Sequence, residues 1–107
     1  MDLQEFVAKW YASKGYNAGA VTLMLGVMEE VGELAEAILL TQVPDFQCSP
    51  HKQLGIDSGE RRINVSGEVG DVIIYLMALC NSLGIRPYIK GLTADVKILV
   101  EATEVHQ

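Results

Sequence analysis

Glu29-Glu30-Val31-Gly32-Glu33-Leu34 and Gly67-Glu68-Val69-Gly70-Asp71-Val72 are the two stretches whose reading decides the fold. Each contains Glu-Val-Gly followed by an acidic and then an apolar residue, and the second copy starts 38 positions after the first, counted Glu30 to Glu68. Both lie inside apolar runs that read as helix. Residues i and i+3 project from the same side of a helix, so Glu30 pairs with Glu33 and Glu68 with Asp71. At ~100° per residue both pairs fall at the edge of an apolar stripe. The stripes are Leu23, Val27, Val31, Leu34 and Ile38 in one helix, and Val65, Val69, Val72, Leu76 and Leu79 in the other. Packed stripe on stripe, the helices would bring four carboxylates together. Such a group repels itself unless something positive sits within it, and hard divalent cations such as Mg²⁺ prefer oxygen ligands. A single Glu-x-x-Glu is commonly no more than a solvated edge, which is how Glu29 and Glu36 read on their own. Two copies in phase with two apolar stripes, with glycine at the same offset, favour a metal site held by Glu30, Glu33, Glu68 and Asp71.

The chain has 107 residues, half of them hydrophobic, with positive mean hydropathy. That length predicts one domain, with more apolar side chain than a core of this size needs. The excess points to an oligomer. The run Val72–Cys80 is apolar around the whole helix, which predicts burial on every side. It is too short to span a bilayer, which takes ~20 residues. A formal charge of −6 leaves no basic face for a nucleic-acid duplex. Cys48 and Cys80 form no metal-binding pattern. Asp2 and Glu5 stand where a secretory leader would be basic, so the expected setting is cytoplasmic, with both thiols reduced.

Taken in order, Asp2 caps a first helix whose apolar face is Leu3, Phe6, Val7 and Trp10, with Gly15 closing it. A second helix runs from about residue 18 or 20 to Gln42, ahead of Pro44. Residues 43–63 read as a loop on Pro44, Ser49-Pro50, Gly55 and Asp57-Ser58-Gly59. A loop this long is often functional, and it carries His51, Lys52, Arg61 and Arg62. A third helix starts between Glu60 and Ser66 and ends at Gly84, and Thr93 is placed to cap a last helix over 93–105. No alternating strand pattern appears, so the expected class is all-α.

Glu29-Glu30-x-x-Glu33 and Glu68-x-x-Asp71, with the flanking text VMEEVGELAEAIL and GEVGDVIIYLMALCNSLGI, resemble the MazG-like all-α nucleoside triphosphate pyrophosphohydrolases. The resemblance covers Leu3 to about Ile85. It implies a four-helix-type bundle assembled as a dimer or a dimer of dimers. It also implies Mg²⁺-dependent hydrolysis, with Mn²⁺ as a substitute, between the α and β phosphates of a nucleoside triphosphate, giving a nucleoside monophosphate and pyrophosphate. By motif position Glu30, Glu33, Glu68 and Asp71 would be metal ligands and Glu29 a further member of the catalytic set. Two departures stand out: the gap between the motifs is longer than usual, and Glu101 stands where relatives carry Asn after the lysine that Lys97 would match.

Around such a centre, Trp10 is the candidate for stacking on a base, with Phe6 and Tyr16 behind it, although aromatics on an apolar stripe are more often core. Lys97 and Arg61 are the candidate phosphate contacts, with Lys52, Arg62 and Lys90 as further cations. The rival reading keeps the carboxylates and drops the chemistry, leaving a non-catalytic nucleotide- or metal-binding helical oligomer.

Overall fold

A computed structural model describes residues 1–43, 58–91 and 95–100, with the side chains of 58–63 excepted. Its helices are α1 (Leu3–Ser13), α2 (Ala20–Gln42) and α3 (Ser58–Leu83). Among the described residues there is no strand, only two isolated antiparallel bridge contacts, Asp2 with Leu99 and Tyr88 with Asp95. None of the described helices is long and apolar enough to cross a membrane. The chain divides into two compact units, Met1–Met24 with Ile74–Gln107, and Leu25–Ile73.

In the first unit, α1 starts as its sequence dictates. Asp2 takes an extended backbone and its Oδ1 accepts the Glu5 N–H at 2.9 Å, meeting one of the donors that a helix start leaves open. The helix ends at Gly15, whose φ of +70° is the left-handed conformation glycine adopts without penalty. Tyr16 N–H then returns to the Tyr11 carbonyl and Gly15 N–H to that of Ala12, both at 3.1 Å. Gly84 closes α3 in the same way, at φ +67°. Val7, Leu23, Met77 and Ala78 are buried.

Beyond α3 the chain turns back to α1. Arg86 makes a 2.8 Å ion pair with the buried Asp2 and a longer contact with Glu5. Gln4 donates to the Ile85 carbonyl at 2.8 Å, and Asn81 donates to that of Gln4 at 3.1 Å. The Leu3 N–H donates to the Ile98 carbonyl. The helix expected over 93–105 is therefore absent at 95–100, which is extended and bridges the start of α1. Val96, Ile98 and Val100 are β-branched and favour that conformation. Thr93 and Glu101 lie outside the described residues.

In the second unit, Ala37 and Leu40 are buried on α2. The helix stops at Gln42, two residues before Pro44, as the bias against α conformation ahead of proline predicts. Two expectations are corrected. α3 begins at Ser58, so 58–63 is helix rather than loop; Glu60, Arg61 and Arg62 are good helix formers and outweigh Gly59. The buried side of α2 is also rotated from the stripe read off the sequence: Leu23 is buried and Val27 and Leu34 half-buried, but Val31 and Ile38 are exposed. The same holds for Val69 and Leu76 on α3.

The Glu5 N–H holds the Asp2 carboxyl below the usual carboxylate range; partial burial opposes this and Arg86 reinforces it. A depressed carboxylate stabilises the folded state above its ordinary pKa of 3.8 and loses that contribution as pH falls through its folded value. Thermal melts of Asp2→Asn should therefore lie several degrees below those of the parent chain at pH 6, and the two should converge in acid.

Candidate metal centre

The second unit holds the acidic turns. Glu30 on α2 and Glu68 and Asp71 on α3 each offer a carboxylate oxygen, and these atoms all lie within 4.8 Å of one another. Glu30 and Glu68 are half-buried and Asp71 is exposed. Glu33, one turn along α2, shares a side-chain hydrogen bond with Glu30. It is half-buried, while Glu29 is exposed. Of the four carboxylates that the i, i+3 spacing leads one to expect together, Glu30, Glu68 and Asp71 meet; Glu33 is not in that group and acts on it through Glu30.

Electrostatics follow from the crowding. The Glu30 carboxyl is pushed up from its ordinary 4.5 to about 7, with partial burial the largest cause. The charge of Glu33 and its hydrogen bond with Glu30 add to that push, and Asp71 and Glu68 contribute further repulsion. Each of these causes disfavours the ionised form. Glu30 Oε2 is buried and has no hydrogen-bond partner among the described residues. An oxygen removed from water and given no donor costs free energy. A cation supplies both the missing partner and the missing charge. The donors are all hard oxygens, and the set retains exposed Asp71, so it fits a hard divalent ion such as Mg²⁺ that keeps part of its water.

Among the described residues the motif glycines serve no close approach. A methyl group built at Gly32, Gly67 or Gly70 would meet nothing within 4 Å.

The remaining sequence candidates belong elsewhere. Trp10 is in the first unit, 38% exposed. Its ring stacks with Tyr11 at 6.0 Å between centroids and meets Tyr16 edge-on at 5.8 Å. It lines an apolar groove of about 280 Å³ with Leu3, Phe6, Val7 and Ile74. Burial raises the Tyr11 hydroxyl above its ordinary pKa, with Tyr75 and Tyr16 adding to the shift. Lys97, also in the first unit, is exposed on the extended segment beside Asp2. The side chain of Arg61, like the whole of His51 and Lys52, lies outside the described residues. Sequence reading missed the tie between Asp2 and Arg86. Arg86 entered it only as the residue before a helix-breaking proline, and no local pattern links positions so far apart.

Residues 19–91 match the family model of the MazG nucleotide pyrophosphohydrolase domain. The chain belongs to that family. No curated protein and no solved structure matches it. The matched span takes in α2 and α3 whole, and with them both acidic turns of this MazG domain. MazG domains are nucleotide pyrophosphohydrolases, hydrolases that typically depend on a divalent metal. An acidic cluster able to hold one is what α2 and α3 present.

The raised Glu30 pKa gives the MazG domain a pH signature. Without metal, the native state keeps a proton on Glu30 that the unfolded chain has already lost above pH 4.5. Stability from this group is therefore complete below 4.5 and declines as pH rises towards about 7. A cation must displace that proton, so its apparent affinity should fall ~10-fold per pH unit below 7. Isothermal titration of Mg²⁺ in buffers of different ionisation enthalpy should record close to one proton released at pH 6 and fewer at pH 8. Glu30→Gln should abolish the difference.

Proposed function

We propose that this MazG domain hydrolyses a (deoxy)nucleoside triphosphate between the α and β phosphates in a Mg²⁺-dependent reaction, releasing a nucleoside monophosphate and pyrophosphate. The observation that carries the reading is the buried Glu30 Oε2, without a hydrogen-bond partner among the described residues, in a group of three carboxylates whose oxygens lie within 4.8 Å of one another. Glu30, Glu33, Glu68 and Asp71 are the ligands in this reading, with Glu29 beside them. Bound there, Mg²⁺ would offset phosphate charge and lower the pKa of water it holds. Glu30, protonated at its raised pKa, would give up that proton to serve as an anionic ligand. Glu33 holds the Glu30 carboxyl in place through their shared hydrogen bond and adds charge of its own. Trp10, with part of its ring exposed above an apolar groove, is the residue proposed to stack on the base. Lys97 and Arg61 are proposed to meet the phosphates. The protein acts in the cytoplasm as a dimer or a dimer of dimers, clearing unwanted nucleotides.

One observation favours the second reading, a non-catalytic nucleotide- or metal-binding oligomer. The segment carrying Lys97 is extended, where a last helix was expected.

A pyrophosphate-release screen over normal and modified nucleotides separates the two. Turnover that EDTA stops, and that Glu30→Ala or Asp71→Ala lowers by at least ~100-fold, fits the enzyme. Tight nucleotide binding with no pyrophosphate across the panel selects the binding module. Trp10→Ala should raise KM by ~5- to 100-fold, the span of ~1–3 kcal/mol for a stacked base, with kcat little changed.

A further inference from the structure

Asp2, Arg86 and Lys97 line one small cavity of about 70 Å³ in the first unit. The Asp2 side chain is 4% exposed and that of Arg86 30%, while Lys97 is exposed. Among the described residues two cations act on the Asp2 carboxylate. Arg86 does so through a 2.8 Å ion pair, and Lys97 through its charge alone.

The backbone holds all three in place. Gln4 donates to the Ile85 carbonyl at 2.8 Å, and Pro87 restricts the residue before it, so Arg86 is fixed from both sides. The segment carrying Lys97 is tied on either side of it. The Val96 N–H donates to the Pro87 carbonyl at 3.0 Å, and the Leu3 N–H donates to that of Ile98. Lys97 is therefore kept close to an acid that it does not pair with.

The state of Asp2 decides where the Lys97 ammonium goes. A carboxylate removed from water and left without a counter-charge is costly, and a cation within reach lowers that cost. Arg86 meets the need, and its guanidinium also reaches Glu5 at 3.5 Å. Lys97 is then left with its charge in the open. Take Arg86 away and Lys97 is the cation that remains beside Asp2 among the described residues. The two would neutralise each other, with nothing left to offer an anion.

We propose that Arg86 is a positioning residue for the nucleotide: by occupying Asp2 it keeps the Lys97 ammonium out of an ion pair and available to phosphate. The inference rests on the reading of Lys97 as a phosphate contact given above, and adds to it a residue that touches no substrate.

Acylation of surface amines, followed by mass spectrometry of the full chain, reads the availability of Lys97 without any nucleotide. In Arg86→Ala its rate of modification should fall ~5-fold, the size of one ion pair. Arg86→Ala combined with Asp2→Asn should bring the rate back, since asparagine still caps α1 and carries no charge. A loss of Arg86 that only loosened the segment would raise the rate, so a rate raised or unchanged overturns the proposal. In pyrophosphate release with the best nucleotide of the screen, KM should rise ~10-fold in Arg86→Ala and in Lys97→Ala, with kcat little changed, and no further when the two are combined. Adding Asp2→Asn to Arg86→Ala should return KM towards that of the parent chain. An ion pair with a structural role alone predicts no recovery, because that chain lacks the pair as well. KM that stays high there, or that Lys97→Ala leaves unchanged, overturns the proposal. If no nucleotide is turned over, the hydrolase reading fails, and the labelling still decides whether Arg86 shields Lys97.

Discussion

The repulsion between carboxylates at Glu30 is the constraint on which the rest of this molecule turns. Glu30 sits among Glu33, Asp71 and Glu68, partly out of water, and its carboxyl titrates near 7 as a result. Left to itself, a helical pair gains nothing from such an arrangement, since aliphatic side chains in those places would stabilise it more. The arrangement becomes favourable when a cation enters. Mutual repulsion then turns into shared attraction, and the cost of holding the acids together before binding is reflected in metal affinity and in its dependence on pH.

The helices serve that constraint. α2 supplies Glu30 and α3 supplies Glu68 and Asp71, so that two short motifs far apart in the chain meet on regular elements. Sites on regular elements are held more tightly than sites on loops. The first unit is secured differently. Asp2 serves at once as the cap of α1 and as the anion for Arg86, and the 95–100 segment lies extended against the start of the same helix. A surface ion pair contributes little to stability, but this one has a buried acid that also satisfies a helix donor.

Local signals were legible in the sequence. Asp2 as a cap, Gly15 and Gly84 as helix ends and the stop before Pro44 are short-range chemistry, and each stands where its residue type demands. The meeting of Glu30 with Glu68 and Asp71 was legible too, because helical period fixes which carboxylates share a side, but Glu33 is not in that group. Choices set by distant partners were not. Period could not say which of two apolar faces of α2 turns inward, since both are hydrophobic; Val31 and Ile38 were assigned to the core and are exposed. It could not foresee that 95–100 would lie against α1, because Val96 and Lys97 fit a helical face as readily as an extended segment and the tie comes from Leu3 and Asp2. Nor did Asp57-Ser58-Gly59 mark more loop, for the helix formers behind it start α3 at Ser58.

The most direct test of the shared-cation account is a crystal grown with Mn²⁺ and measured at the manganese absorption edge. The account predicts an anomalous peak bonded to Glu30, Glu68 and Asp71, with Glu33 turned toward the same ion or toward Glu30. A peak elsewhere, or none, with those side chains apart in solvent, would contradict it.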